Sequence, residues 1–222
     1  SSSTVTNCSN TGYVNGIRYV GGVVGGFFGT IANCFNTGRI SGRYVGGIAG
    51  QLGGTVTNCQ NSGSVTGSNY VGGIAGYLPH NASYNITDCY NSGSINGNEY
   101  VGGVVGGNYT GKVINCINAG GVIGDSYTGG VVGELCNDGT VTDCHNAASV
   151  SCKIKYTGGI AGRNFRSTIT NCHNSGSVNG VSYSGGVTGS IFLNYSTINA
   201  MVQYCYNTGS VSGNTWVGGV AG

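Results

Sequence analysis

The chain has 222 residues, a net charge of +2, 46 glycines, ten cysteines and one proline. Charged residues make up only 6% of it, which argues against a basic surface for nucleic acid, and the glycines do not recur at every third position as in collagen. Apolar residues make up 39% and recur at fixed places, which distinguishes the chain from a disordered low-complexity segment. No apolar run is long enough to predict a membrane span.

One unit of sequence occurs eight times. A clear copy is TVTNCQNSGSVTGSNYVGGIAG, from Thr55 to Gly76. The copies form a single domain and occupy approximately residues 4–29, 30–54, 55–84, 85–111, 112–139, 140–167, 168–200 and 201–222. Their length varies mainly after the last glycine of the unit, as between Tyr77 and Tyr84. A rigid unit with variation at one corner is typical of a solenoid.

Each copy contains three short β-like runs separated by turn signals, and no run has helical periodicity. We therefore predict an all-β, right-handed parallel β-solenoid (β-helix) of eight three-sided coils, stacked about 4.8 Å apart. Equivalent apolar residues of successive coils would form three internal ladders. These are Val5, Ile31, Val56, Ile86, Val113, Val141, Ile169 and Val202; Val14, Ile40, Val65, Ile95, Val122, Val150, Val178 and Val211; and Val23, Ile48, Ile74, Val104, Val131, Ile160, Val187 and Val220.

Glycine and asparagine mark the corners. The segment Asn-(Thr/Ser/Ala)-Gly, as at Asn61–Gly63, is interpreted as a corner with left-handed backbone. Paired glycines would let opposite walls approach, or make room for a ladder of bulky rings. This ladder consists of Tyr19, Tyr44, Tyr70, Tyr100, Tyr127, Tyr156, Tyr183 and Trp216. The sequence leaves open whether these rings point inward or lie on the surface.

Two polar columns follow from the repeat. The cysteine ladder consists of Cys8, Cys34, Cys59, Cys89, Cys116, Cys144, Cys172 and Cys205. We expect these thiols to be reduced and buried as small apolar groups, in preference to disulfides or a metal array. Cys136 and Cys152 lie outside the ladder, where pairing with each other is an alternative. The asparagine ladder, expected to bond from coil to coil, consists of Asn10, Asn36, Asn61, Asn91, Asn118, Asn146, Asn174 and Asn207.

The segments DCYNSGSINGNEYVGGVVG (Asp88–Gly106) and YCYNTGSVSGNTWVGGVAG (Tyr204–Gly222) resemble the GLUG repeat of bacterial surface and secreted proteins. The resemblance covers essentially the whole chain. It implies an extracellular or cell-surface, non-catalytic module of the kind found in adhesins and in some immunoglobulin-cleaving metalloproteases. Protease activity is not implied, because the sequence has no HExxH zinc signature.

Candidate site residues are few, and we expect no catalytic residue, metal or cofactor. A ligand site, if present, would lie on the variable edge, where rings can stack on sugars or protein. These rings are Phe27, Phe28, Tyr77, Tyr84, Tyr109, Phe165, Phe192 and Tyr195. Glycosylation sequons fall in segments read as loops, at Asn81, Asn85, Asn108 and Asn194. The cluster of Glu134, Asn137 and Asp138 is interpreted as a solvated loop in preference to a calcium site. His145 and His173 occupy the same position in adjacent coils, and the variety of residues at this position indicates an exposed site.

Three functions compete. The first is an extracellular structural or adhesive protein, whose partners are flanking coils, further copies stacked head to tail into a filament, glycans or cell-surface proteins; nucleic acid is not expected as a partner, and no membrane span is predicted. The second is an ice-binding solenoid that uses Thr-x-Thr ranks such as Thr55-x-Thr57. The third is a carbohydrate-binding or carbohydrate-degrading β-helix, which the shortage of acidic residues disfavours. The sequence has no capping segment at either end, which favours end-to-end stacking or excision from a longer solenoid.

Overall fold

The computed structural model describes residues 3–79, 84–192 and 200–222. All regular structure in these ranges is β-strand, and they contain no helix long and apolar enough to cross a membrane. The strands form four parallel sheets, each of which runs from coil to coil along the molecule. The prediction of an all-β parallel solenoid is therefore confirmed.

The sheets take their strands at regular intervals along the chain. Sheet 1 contains Ser3–Thr6, Gly29–Ala32, Thr55–Thr57, Asn85–Thr87, Lys112–Ile114, Thr140–Thr142, Thr168–Thr170 and Met201–Gln203. Sheet 2 contains Ser9–Asn10, Phe35–Asn36, Gln60–Asn61, Tyr90–Asn91, Ile117–Asn118, His145–Asn146, His173–Asn174 and Tyr206–Asn207. Sheet 3 contains Val14–Asn15, Val20–Gly21, Ile40–Gly42, Val45–Gly46, Val65–Gly67, Asn69–Gly72, Ile95–Asn96, Glu99–Gly102, Val122–Gly129, Val150–Gly158, Val178–Asn179, Ser182–Gly185, Val211–Ser212 and Thr215–Gly218. Sheet 4 contains Val24–Phe27, Ala49–Leu52, Ala75–Leu78, Val105–Asn108, Val132–Cys136, Ala161–Phe165 and Thr188–Phe192.

The first expected run of each coil lies in sheet 1, the second lies in sheet 3, and the third begins in sheet 3 and ends in sheet 4. Sheet 2 is formed by an additional two-residue strand of each coil, which lies at the corner between the first two runs. Sheets 1 and 2 have eight strands, whereas sheet 4 has seven, because the last coil joins it only through the bridge from Thr188 to Ala221. The solenoid thus makes about seven complete turns.

The three apolar ladders lie in register inside the solenoid. Val56 pairs with Ile31 and Ile86 in sheet 1, and Val65 pairs with Ile40 and Ile95 in sheet 3. All six side chains are buried. The apolar core is divided into two clusters, one between sheets 1 and 4 and the other behind sheet 3. This division creates an internal seam that polar groups can occupy.

The left-handed corner lies elsewhere than the sequence predicts. The residue before each ladder cysteine has a positive φ, from 50° at Asn58 to 55° at Asp88, whereas Asn61 and Gly63 do not have left-handed backbone. Asparagine and aspartate tolerate this conformation better than most residues, which explains why they dominate the position before the cysteine. Glycine is favoured at position 63 for another reason: a Cβ there would lie 1.9 Å from the carbonyl oxygen of Gly38 in the previous coil, although the sixth copy has Ala148 at the equivalent position.

The ladder of tyrosine rings lies on the outer surface. Seven of its eight members have a positive φ, such as 49° at Tyr70, which is uncommon for a bulky residue. Neighbouring rings stack along the solenoid, with centroids 4.6 Å apart between Tyr70 and Tyr100 and 4.8 Å apart between Tyr100 and Tyr127. The interior position that follows each ring is taken by residues such as Val71 and Val101. The left-handed backbone therefore directs the ring outward and lets the next side chain enter the core.

Candidate binding surface

The cysteine ladder lies inside the solenoid, between sheets 1 and 2. The thiol of Cys59 donates to the carbonyl oxygen of Thr57 at 3.3 Å, and its sulfur accepts the backbone N–H of Cys34 at 3.4 Å. Every described cysteine is a free thiol, including Cys136 and Cys152, so pairing of these two is not observed. Burial raises the pKa of Cys136 to about 12, which keeps this thiol protonated.

Thiol titration provides a test of this arrangement. Eight of the ten cysteines are buried, whereas Cys8 is exposed and Cys205 is half-buried. We expect a thiol-specific disulfide reagent to label about two cysteines in the native protein and all ten after denaturation, because the reagent reaches only exposed thiols. Fewer than ten thiols in the denatured, unreduced protein, with ladder cysteines paired in its mass spectrum, would contradict the ladder.

The asparagine ladder fills the seam between the two apolar clusters. Asn61 Nδ2 donates to Asn91 Oδ1 at 2.8 Å, and Asn91 Nδ2 donates to Asn118 Oδ1 at 2.8 Å. Each amide also donates to the carbonyl oxygen two residues later, as Asn91 does to Gly93 at 2.9 Å. The six members from Asn36 to Asn174 are fully buried. The ladder is thus a continuous hydrogen-bonded spine whose function is structural.

A charged cluster lies beside the tyrosine rings on the outer face of sheet 4. The carboxylate of Glu134 is buried, forms an ion pair with Arg163 and accepts a hydrogen bond from Tyr109 Oη at 3.0 Å. Tyr109 Oη and Tyr70 Oη lie 2.8 Å apart. Arg163 also lies over the ring of Tyr127, 4.8 Å from its centroid. Glu134 is therefore held by protein partners, which leaves the calcium interpretation without support.

Alkaline pH should destabilise this cluster. Burial is the largest of the effects that raise the pKa of Tyr70 to about 12, from about 10 in an unfolded chain; the hydrogen bond with Tyr109 lowers this pKa, and the charge of Glu134 raises it. A raised folded-state pKa contributes stability that is complete below pH 10 and is lost as the pH rises towards 12. We expect the melting temperature to fall over this window by less in Tyr70→Phe than in the wild type. Tyr206→Phe, at an exposed ring, is the control, and equal falls in all three proteins would refute this role of Tyr70.

The rings proposed as a ligand edge do not form one platform. Phe27 packs against the core, Tyr84 is only 2% exposed and belongs to the core cluster, and Tyr77 and Tyr109 pack beside the tyrosine ladder. The interpretation of Tyr84 as an exposed ligand residue is therefore wrong, because its side chain is buried in the core cluster. The remaining rings lie at separate places or outside the described ranges: Phe28 and Phe192 are exposed, Phe165 contacts Phe192, and Tyr195 lies outside the described residues.

The sequons have different surroundings. Asn108 is fully buried in a strand of sheet 4, where its Nδ2 donates to Gly111 O at 2.9 Å and its Oδ1 accepts Gly111 N–H at 2.7 Å. Its interpretation as an accessible glycosylation site is therefore wrong. Asn85 lies half-buried in a strand of sheet 1 and not in a loop. Asn81 and Asn194 lie outside the described residues.

The threonine ranks lie in sheet 1. Thr55 pairs with Thr30 and Asn85, and Thr57 pairs with Ala32 and Thr87, so each rank runs along the solenoid and contains other residues. The ranks are also interrupted further along, for instance at Lys112. Ice binding therefore stays a prediction, which thermal hysteresis would test.

Sheet 2 presents a row of outward-facing side chains, six of them exposed and two half-buried, that the sequence indicated only as a tolerant column. The row consists of Ser9, Phe35, Gln60, Tyr90, Ile117, His145, His173 and Tyr206. In its second half the rings stack, with centroids 4.7 Å apart between His145 and His173 and 4.1 Å apart between His173 and Tyr206. Burial and the neighbouring ring of His173 lower the pKa of His145.

The first half of this row is open. Gln60 lies between Phe35 and Tyr90, so no third ring fills the space between them. A groove of about 280 Å³ forms over this position, with asparagine residues along one side and hydroxyl groups along the other. Its lining consists of Asn33, Cys34, Phe35, Asn36, Thr37, Asn58, Gln60, Asn61, Ser62, Tyr90 and Ser92. An aromatic floor with uncharged hydrogen-bonding rims has the composition of a binding groove.

Comparisons with known proteins find a matching sequence family and a similar solved structure. The family described as the GLUG motif matches residues 41–66 and 155–179, two stretches that run from sheet 3 of one coil to sheet 3 of the next. A crystal structure of a candidate immunoglobulin A1 protease from Bacteroides ovatus is similar, with a TM-score of 0.51 and 18% identity over 96% of this chain. The present chain spans 60% of that protein. At this identity the likeness concerns the fold alone. No curated protein matches the chain significantly.

Proposed function

We propose that this chain, a GLUG-repeat β-solenoid, is a non-catalytic structural and adhesive module on the outside of the cell. The observation that carries the proposal is the continuous stack itself, in which equivalent interior positions of successive coils form buried ladders while the outward-facing residues differ from coil to coil. Such a scaffold holds surface side chains at fixed spacing over a long rod, which suits attachment more than turnover.

The acidic side chains support a structural role. Asp88 accepts a hydrogen bond from Asn115 at 2.5 Å, and Asp125 lies 2.9 Å from Lys153 Nζ. Glu134 is held by Arg163 and Tyr109 as described above. Within the described ranges, no group of three or more histidine, cysteine, aspartate or glutamate side chains is arranged to hold a metal ion. The similarity to a candidate protease is a likeness of fold and brings no catalytic residues to this chain.

The side chains of the last described coil show what a stacked coil would bury. Trp216 is 68% exposed, and Val217 and Val220 are also exposed, although the equivalent Val71 and Ile74 of an internal coil are fully buried. Another coil of matching sequence would bury these side chains, whether it belongs to the same polypeptide or to a second copy. We propose both flanking coils and head-to-tail copies as partners, and glycans or cell-surface proteins as targets of the adhesive face.

Labelling of intact cells tests the proposed function. An antibody raised against the purified chain should label the surface of unpermeabilised cells of the source organism, and brief external proteolysis should remove the signal. A cytoplasmic protein labelled in the same cells only after permeabilisation is the control. Labelling of the chain only after permeabilisation would reject an extracellular role.

A further inference from the structure

We propose that the groove over the second to fourth coils binds a neutral, unbranched glycan chain that lies along the solenoid axis. The groove is the first half of the outer row of sheet 2, from Phe35 to Tyr90. This inference rests on the proposed adhesive function and specifies the ligand class and the position of its site.

The floor provides rings at the correct interval for a sugar chain. Phe35 is 46% exposed and Tyr90 is 39% exposed, and Gln60 lies in register between them. Parallel strands of neighbouring coils lie about 4.8 Å apart, which is close to the length of one sugar unit. Successive sugars can therefore pack their apolar faces against the floor while Gln60 supplies an amide between the two rings.

The rims provide donors and acceptors along both sides of the floor. On one side, Asn58 Nδ2 donates to Asn33 Oδ1 at 2.8 Å, which orients the two amides without using all their donors. On the other side lie the hydroxyl groups of Thr37, Ser62 and Ser92. Amide and hydroxyl groups that repeat once per coil can bond to the hydroxyl groups that repeat once per sugar.

The uncharged lining of the groove favours an uncharged ligand. The groove is lined without any acidic or basic side chain, so it offers no ion pair to a sulfated, phosphorylated or uronic-acid polymer. The volume of about 280 Å³ is small for a folded protein segment and sufficient for a short stretch of sugar chain. The stacked rings of His145, His173 and Tyr206 close the row further along, which restricts the open site to the second to fourth coils.

Calorimetric titration of the purified chain with hexasaccharides of cellulose, laminarin, starch and mannan tests the proposal. We expect at least one hexasaccharide to bind. Gln60→Tyr introduces the residue type found at the neighbouring position of the row, Tyr90. The added ring should fill the groove and weaken the binding of that hexasaccharide at least about tenfold. Phe35→Ser introduces the residue of Ser9 in the same row and should have an effect of similar size by removing a ring.

Tyr206→Ser is the matched control, because Tyr206 lies in the same row outside the groove, and it should bind like the wild type. Circular dichroism and the melting temperature identify any variant that fails to fold. The proposal is overturned if no hexasaccharide binds the wild type, or if the bound one keeps its affinity in folded Gln60→Tyr. If either result is obtained and intact cells are labelled at their surface, the proposed glycan site is rejected and the proposed extracellular function is retained.

Discussion

Replacement of Asn91 by leucine should lower the free energy of unfolding by about 3–5 kcal/mol, because it interrupts the buried spine. Asn91 is fully buried, accepts a hydrogen bond from Asn61 and donates to Asn118 and to Gly93 O. Leucine has a similar shape but provides neither donor nor acceptor, so the groups on both sides lose a partner where no solvent replaces it. Urea unfolding monitored by circular dichroism measures the change.

Asn96→Leu is the control for this substitution. Asn96 lies in the same coil, on a strand of sheet 3, and its side chain is exposed. The free energy of unfolding should therefore change by no more than about 0.5 kcal/mol. Equal effects at the two positions would show that the amide spine contributes nothing specific.

Gly73→Ala should destabilise the solenoid by at least about 3 kcal/mol, because the coils have no space for the added methyl group. A Cβ at Gly73 would lie 2.1 Å from the carbonyl oxygen of Gly103 and 2.4 Å from Asn91 Cγ. Both belong to the neighbouring coil, so relief requires that the backbone stacking or the amide spine shifts. The melting temperature and the urea midpoint measure the loss.

Gly219 provides a control at the equivalent position of the last coil. A Cβ there would meet no atom within 4 Å, because no described coil lies beyond it. Gly219→Ala should therefore change the stability of the isolated chain by no more than about 0.5 kcal/mol. A large loss there, or none at Gly73, would contradict the argument that the glycine pairs permit close stacking.

The fold could be predicted because the repeat constrains it eight times. Val56 and Val65 recur as Val or Ile in every copy, and only stacked coils bury all their equivalents at once. The left-handed corners were misplaced for a local reason. Asn61–Gly63 has the composition of a left-handed turn, but stacking against Gly38 is what demands glycine there. Composition does not distinguish a conformational requirement from a steric one.

The candidate site was not predictable to the same degree. Tyr84 lies outside the fixed part of the repeat, and nothing in the repeat indicates that its side chain is buried in the core. The groove depends on the identity of one residue, Gln60 between Phe35 and Tyr90, in a column whose residue type varies from coil to coil. The sequence repeat predicts which residues occupy equivalent positions in successive coils. It does not predict whether a groove forms at these positions, because that depends on the packing of the neighbouring corner residues.

Side-chain amide exchange tests the central claim, that a buried asparagine spine holds the coils in register, most directly. After transfer of ¹⁵N-labelled protein to D₂O, the NH₂ signals of the six fully buried ladder residues should persist long after those of exposed asparagines such as Asn96 have disappeared. Assignment of the persistent signals to Asn36, Asn61, Asn91, Asn118, Asn146 and Asn174 is the predicted result. Loss of all asparagine side-chain signals at one common fast rate would contradict the spine and the register that it maintains.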